Sequence, residues 1–526
     1  MKILNKKKNI LLIFTLFLSS ITFNQYYGNI GIQPIDSFFP FNSAYDVLNG
    51  HFPFKDYWTI TGPFIDLIQA ILFKIIGVSW FSYVFHASLF NFIFTIFFFY
   101  TLKKFDLNII YCFVYSFFLS LLAYPSSGTP YVDHQASYTS AIAILCFILA
   151  LKTNSKFWWF VLPIILFISF LTKQTPTSYV FIVIVFLSVI YFIFNFDVKK
   201  IIFGLVGSIL IMSIFFMIMF LGKIPLMSFV NQYILFPISM GSTRLGDGFL
   251  FPLEFDRIVS RFKLIHLSTI PLFIIIIKNF ARNYKYLVSN ESLIILSLIG
   301  LNFCLIAHQL LTINGIYIYF LIPIILGFSH IFSLKYFNKN LYIIYFLLFI
   351  GASSTIYYGY KYVHKRNFMD LNNADISKAV DAKLIDTKLN GLKWITPQNS
   401  DDPYSELTSI KKVLEIIDFD KSNKTIITDY QFISVVLSLY DNSPNKVWYY
   451  RHVYPSKRNK YFAVYKKFFI KKIKESKIQN IYVVKPMFGV SDPLKYVLET
   501  NCFSKILVNE TLEKYSIKKC EQLSKN

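Results

Sequence analysis

The chain has 526 residues, of which 55% are hydrophobic and 19% aromatic, and its mean hydropathy is +0.51. A soluble globular protein buries only one face of each element and has no use for that much apolar surface, so this class is excluded. The formal charge of +23 comes mainly from lysines at the ends of apolar runs and in the C-terminal region, without the Arg-rich or RNP-like pattern of a nucleic-acid binder. It suits anionic lipids or a phosphate-bearing lipid substrate instead.

Lys6, Lys7 and Lys8 precede the apolar stretch Asn9–Phe23, and no small-x-small cleavage site follows. This reads as an uncleaved first transmembrane helix with a cytoplasmic N-terminus. The loop 25–62 then carries Asp36, an amphipathic helix expected over Phe41–Asn49, a Gly-His-Phe-Pro-Phe turn and the run Lys55-Asp56-Tyr57-Trp58. Pro63–Ile76 is apolar but short and contains Asp66 and Gln69.

Further spans are expected at Phe81–Leu102, Asn108–Ala123, Ser137–Leu151, Phe157–Leu171, Thr177–Phe194, Ile201–Leu221, His266–Phe280, Glu291–Leu310, Ile316–Leu334 and Leu341–Tyr357. The positive-inside rule decides the status of Pro63–Ile76. If it does not cross, Lys103-Lys104, Lys152/Lys156, Lys199-Lys200, Lys278/Arg282/Lys285 and Lys335/Lys339 all fall on the cytoplasmic side. The expectation is therefore a polytopic α-helical membrane protein with eleven spans. Loops 25–62, 124–136 and 222–265 face outward, and so do residues 358–526.

Composition changes after Tyr362, where charged residues, Asn and Asp replace the apolar runs. Strand-like pieces at Thr425–Thr428, Lys446–Tyr450 and Asn480–Lys485 alternate with helix-like pieces at Phe432–Tyr440, Tyr461–Lys474 and Pro493–Glu499. That alternation predicts a small α/β domain with a partly parallel sheet, ending in a hairpin of Phe503–Asn509 and Leu512–Lys519. Cys502 and Cys520 bracket the hairpin, leaving a disulfide or two free thiols as open alternatives. Cys112, Cys146 and Cys304 lie within spans. No C-x-x-C pair, metal-ligand spacing, Walker loop or dinucleotide fingerprint occurs.

Several residues could carry chemistry. Asp36 stands just beyond the first span, where a carboxylate can accept a proton from a hydroxyl nucleophile; the plain alternative is a helix cap. Asp133 and His134 precede a span on the same side and are candidates for an acceptor or metal site, again with capping as the alternative. Asp56 is a further candidate of that kind. Lys173 lies between two spans at the external end, where a lone positive charge runs against the orientation bias; it suits a phosphate or simply snorkels to water. Arg244 in a Gly-rich stretch, Arg257 and Arg261 beyond it, and His308 with Gln309 at a helix end are further donor-side candidates. Tyr57 and Trp58 offer rings for a sugar or for the membrane interface. Asp429 and Tyr430 follow a strand end, a usual ligand position in α/β sheets.

The order of Asp36, Leu48-Asn49-Gly50, Pro53-Phe54-Lys55-Asp56, Gly62-Pro63 and Phe73-Lys74-Ile75-Ile76-Gly77 resembles the first external loop of GT-C membrane glycosyltransferases. The likeness is to the bacterial mannosyltransferase-like and aminoarabinose-transferase-like group. It implies a polyprenyl-phosphate-linked sugar donor, a cell-envelope glycan, lipid or protein acceptor, and Asp36 as the residue that activates the acceptor. It also implies a contribution from the second loop's acid and histidine, with a divalent metal as an optional cofactor. Many relatives carry tandem acids where this chain has Asp36-Ser37, so the partner acid is not supplied by the same motif. A lipid-linked glycan flippase or other transporter, and a polysaccharide polymerase, are the rival readings.

Overall fold

The structure is a computed structural model that describes residues 2–123, 128–240, 255–312, 318–337, 340–439, 443–446, 453–485, 487 and 493–524. It divides into two compact units, each discontinuous in sequence.

The first unit comprises residues 1–27, 87–215 and 250–368 and is built of helices. Eight helices among the described residues are long and apolar enough to cross a membrane: Asn9–Gly28, Trp80–Lys104, Val132–Thr153, Gln174–Phe194, Val198–Leu221, Lys263–Arg282, Asn290–Thr312 and Leu341–Met369. The 22-residue helix Val132–Thr153 is about 33 Å long at 1.5 Å per residue, enough for a hydrocarbon core. The apolar helices Ile109–Leu122, Lys156–Thr172 and Leu321–Tyr336 fall where spans were expected but are shorter. The chain is thus a helical membrane protein.

Val132–Thr153 is the innermost element, buried on all sides from Val132 to Leu151. Small residues let its neighbours approach. Ser169 Oγ bonds Ser140 Oγ (2.9 Å) and Thr177 Oγ1 (2.8 Å) and accepts from Thr139 Oγ1 (2.9 Å), so one hydroxyl cluster ties helices 132–153, 156–172 and 174–194 together. Without water in a bilayer interior, such hydroxyls hold helices where hydrophobicity alone gives no preference.

The second unit comprises residues 28–86, 216–249 and 369–526. Within it, the loop after the first helix is ordered by pairing. Gly31 N donates to Lys393 O (2.9 Å) and Ile32 N to Ile395 O (3.0 Å). Gly31 has φ +67°, and a Cβ there would stand 2.4 Å from Leu371 Cδ1, so only glycine fits. Two helices follow, Phe39–Leu48 and Phe64–Ile76, the first close to the expected Phe41–Asn49. Phe38, Phe41, Trp80, Tyr83, Trp394 and Phe432 form an aromatic core around them, with Phe38 and Phe432 centroids 4.7 Å apart.

The four-stranded sheet places Lys424–Thr428 beside Asn480–Val484 in parallel, then Leu512–Ile517 and Phe503–Leu507 antiparallel. The expected partly parallel sheet and terminal hairpin are both present, and Cys502–Cys520 is a disulfide. The piece expected as a strand at Lys446–Tyr450 lies mostly outside the described residues. Loop 222–265 departs from expectation: it contains the helix Leu226–Met240, whose middle winds as a π-helix over Val230–Leu235. Pro225 stands at its N-cap position, and the apolar run is too short to read as a span.

Candidate functional site

In the first unit, three chemically reactive side chains converge. Asp133 lies in the first turn of helix 132–153, Lys173 in the extended residue joining helices 156–172 and 174–194, and His308 near the C-terminal end of helix 290–312. Helix direction puts all three at the same end of the bundle. Lys173 Nζ forms a close ion pair with Asp133 Oδ1, and His308 Nε2 lies 2.9 Å from the same oxygen. Since a carboxylate oxygen only accepts, Nε2 carries the hydrogen, and Nδ1 is the nitrogen left over.

The hydroxyl cluster described above fixes this arrangement. Ser169 anchors the turn of Lys173 twice over, because Lys173 N also donates to Ser169 O (3.1 Å). Asp133 and His308 are 1% exposed and Lys173 19% exposed, so the lysine is the accessible member. Asp133 Oδ2 and His308 Nδ1 are buried without a hydrogen-bond partner, as are both ring nitrogens of His134 and the amide nitrogens of Gln135 and Gln309. Leaving a buried polar atom unpaired costs about 1–3 kcal/mol, so a concentration of them in residues 133–135 and 308–309 calls for a reason.

Asp133 therefore does not cap its helix. Tyr131 is the N-cap residue, and the carboxylate is spent on Lys173 and His308. His134 points elsewhere: its ring stacks near Tyr138 (centroids 6.1 Å), lies tilted beside Phe368 (6.1 Å) and does not bond Asp133. No group of three or more His, Cys, Asp or Glu among the described residues is placed to hold a metal ion, so no step is routed through one.

In the second unit, Asp36 is half-buried in the short helix Pro34–Ser37, where its N donates to Gln33 O (3.0 Å). The N-cap positions of this helix and the next are Gln33 and Phe38, so Asp36 occupies neither. Asp56 is committed to structure. It accepts from Phe52 N (2.7 Å) and pairs with Lys472 (3.2 Å), which ties the turn to helix Phe462–Glu475. Tyr57 and Trp58 are fully buried: Tyr57 OH donates to Asp66 Oδ2 (2.9 Å), and Trp58 packs edge-on against Tyr465 (5.1 Å). Both are core side chains, unavailable to a sugar or an interface. Tyr430 OH donates to Glu406 (2.5 Å), which also holds Trp394 and Thr396, so it too is structural.

Arg244 lies outside the described residues, as does the side chain of Arg257; Arg261 is exposed. No family model matches the chain, and no curated protein matches it.

The sequence pointed to Asp133, Lys173 and His308 separately, and missed that they are one cluster. The available signal was position: all three fall at the same expected membrane face. Asp66 stood out in the sequence only as a polar residue in the short run Pro63–Ile76; its carboxyl accepts from Ser43 Oγ (2.6 Å) as well as Tyr57. Burial drives its pKa up to about 7, helped by Asp46 and opposed by these two hydrogen bonds.

Proposed function

We propose that the protein is a membrane glycosyltransferase of the GT-C type, moving a sugar from a polyprenyl-phosphate carrier to a cell-envelope glycan, lipid or protein acceptor outside the cytoplasm. In this reading the eight long helices and three of the shorter ones make eleven crossings, with the N-terminus cytoplasmic and the C-terminal residues extracytoplasmic. The observation that carries it is the Lys173–Asp133–His308 cluster, an accessible lysine held by a buried carboxylate among unsatisfied polar atoms at one end of an apolar bundle. A phosphate departing from a sugar gathers negative charge, and a lysine ammonium meets that need best where water is scarce.

Asp36 is the base: it takes the acceptor hydroxyl's proton as the bond to the anomeric carbon forms. Asp133 aligns Lys173 for the lipid phosphate. The test is transfer by membranes containing Asp36→Asn, supplied with a panel of radiolabelled polyprenyl-phosphate sugars. A loss of about 10²–10⁴-fold at normal expression is expected for a general base; unchanged transfer removes Asp36 from the mechanism.

A flippase or transporter is the second reading, and the same cluster favours it, because buried ionisable groups within spans often mark transport routes. Transporter sites sit near mid-depth beside broken helices. Asp133 is instead the second residue of its helix and His308 lies in the last turns of its own, which favours chemistry at the membrane face.

A further inference from the structure

His308 has no task in the scheme above, although its geometry is the most specific in the cluster. Its ring is 1% exposed, Nε2–H is bound to Asp133 Oδ1 at 2.9 Å, and Nδ1 is buried without a partner. Among the described residues the charged groups bearing on it are Asp133 from helix 132–153 and Lys173 ahead of helix 174–194; helix 263–282, the turn Tyr284–Val288 and the segment Asp256–Ser260, also packed on 290–312, bring Lys263, His266, Lys278, Arg282, Lys285 and Asp256 to the bundle, but none of these acts on the ring. An imidazole bound to a carboxylate through one nitrogen is set to carry a proton on the other.

We propose that His308 is the proton donor to the departing lipid phosphate, becoming an imidazolium when the donor's phosphodiester binds and delivering Nδ1–H to the phosphate oxygen as the sugar leaves. This rests on the glycosyl-transfer reading and adds the second half of its proton inventory. The bond from the anomeric carbon to the phosphate oxygen breaks, and its electron pair stays on that oxygen. The bond to the acceptor oxygen forms, and the acceptor's proton goes to the base on the acceptor side. The Nδ1 proton goes to the phosphate oxygen, leaving neutral imidazole. His308 and the acceptor-side base then return to their starting states by exchange with water.

Asp133 makes the charged state accessible. With Lys173 already beside the carboxylate, the empty cluster has its charges balanced. An arriving phosphodiester brings one more negative charge, and a proton on His308 restores the balance. The distinguishing consequence is that binding takes up a proton from solution.

The experiment uses the full-length protein in detergent and undecaprenyl methyl phosphate, a diester with one fixed charge and no titrating proton near neutrality. Calorimetry in buffers of different ionisation enthalpy at pH 7.5 gives the protons taken up per lipid bound. An uptake of up to about one proton is expected in the wild type. In His308→Gln, which can still donate to Asp133, binding persists and the uptake disappears. Binding without uptake, or uptake unchanged in His308→Gln, overturns the proposal and leaves the glycosyl-transfer reading standing. Failure of the wild type to bind either this diester or undecaprenyl phosphate removes both.

Discussion

Asp46 and Lys446 form an ion pair of 2.9 Å with both side chains fully buried, joining a helix of the first loop to a segment near the end of the chain. Lys446 Nζ also reaches Asn42 Oδ1 at 3.3 Å, one turn earlier on the same helix. Removing one partner of such a pair leaves an uncompensated charge where water cannot reach it, at a cost of about 3–5 kcal/mol. Lys446→Met should therefore lower the unfolding temperature sharply, whereas Asp46→Leu combined with Lys446→Met should recover most of the loss. A single change within about 0.5 kcal/mol of wild type, the range of ordinary surface substitutions, would show the pair to be energetically idle.

Asp66 makes stability of the same unit depend on pH. Its pKa in the folded protein is about 7, against 3.8 as the ordinary value, with burial as the main cause. The folded form binds the proton more tightly than the unfolded chain does. Stability is then greatest below about pH 4, declines between pH 4 and 7 and is level above that. The decline should amount to a few kcal/mol, on the order of one for each pH unit. Melting curves of wild type and Asp66→Asn between pH 4 and 8 check this: the variant, still able to accept from Ser43 and Tyr57, should lose the slope.

What could be read from the chain divides by the range of the interaction. Spans are local properties of composition, so the helix over Gln174–Phe194 appears within three residues of the expected Thr177–Phe194. The alternation of the last 100 or so residues likewise announced the parallel pair and the hairpin. Helix 132–153 begins five residues before the expected Ser137: Asp133-His134-Gln135 interrupt the apolar run by which a span is read, yet all three lie buried in its first turn. The pairings Asp46–Lys446 and Asp56–Lys472 were not legible, since nothing local to an acid names a lysine some 400 positions away. Tyr57 and Trp58 misled for the same reason: their rings are covered by residues distant in sequence.

The disulfide gives a chemical test of compartment and fold together. Cys502 and Cys520 are 18 residues apart and enclose the hairpin Phe503–Leu507 and Leu512–Ile517. Closing a loop of that length is worth about 3 kcal/mol by the loop-entropy account. Protein purified without reductant and then denatured should react with maleimide at three thiols, those of Cys112, Cys146 and Cys304. Reduction should raise the number to five and lower the stability of the unit, and Cys502→Ser with Cys520→Ser should match the reduced protein. Five reactive thiols in the unreduced sample would place this region in a reducing compartment and count against an extracytoplasmic site.

Lys173 and Asp133 allow function to be separated from packing, because two roles of the pair have opposite signatures. As a structural pair, they are costly to split and cheap to remove together. Lys173→Met should thus destabilise, leaving the carboxylate with His308 alone, and adding Asp133→Asn should restore the melting temperature. As a phosphate site, the pair depends on the ammonium itself. Undecaprenyl phosphate binding should weaken at least about tenfold in Lys173→Met and stay weak in the double variant, while Lys173→Arg keeps part of it. The site's burial means this loss should change little between low and physiological salt, since screening acts on exposed charges far more than on buried ones. Recovery of binding together with stability in the double variant would reduce the cluster to a helix clamp, and the phosphate would have to be held elsewhere in the protein.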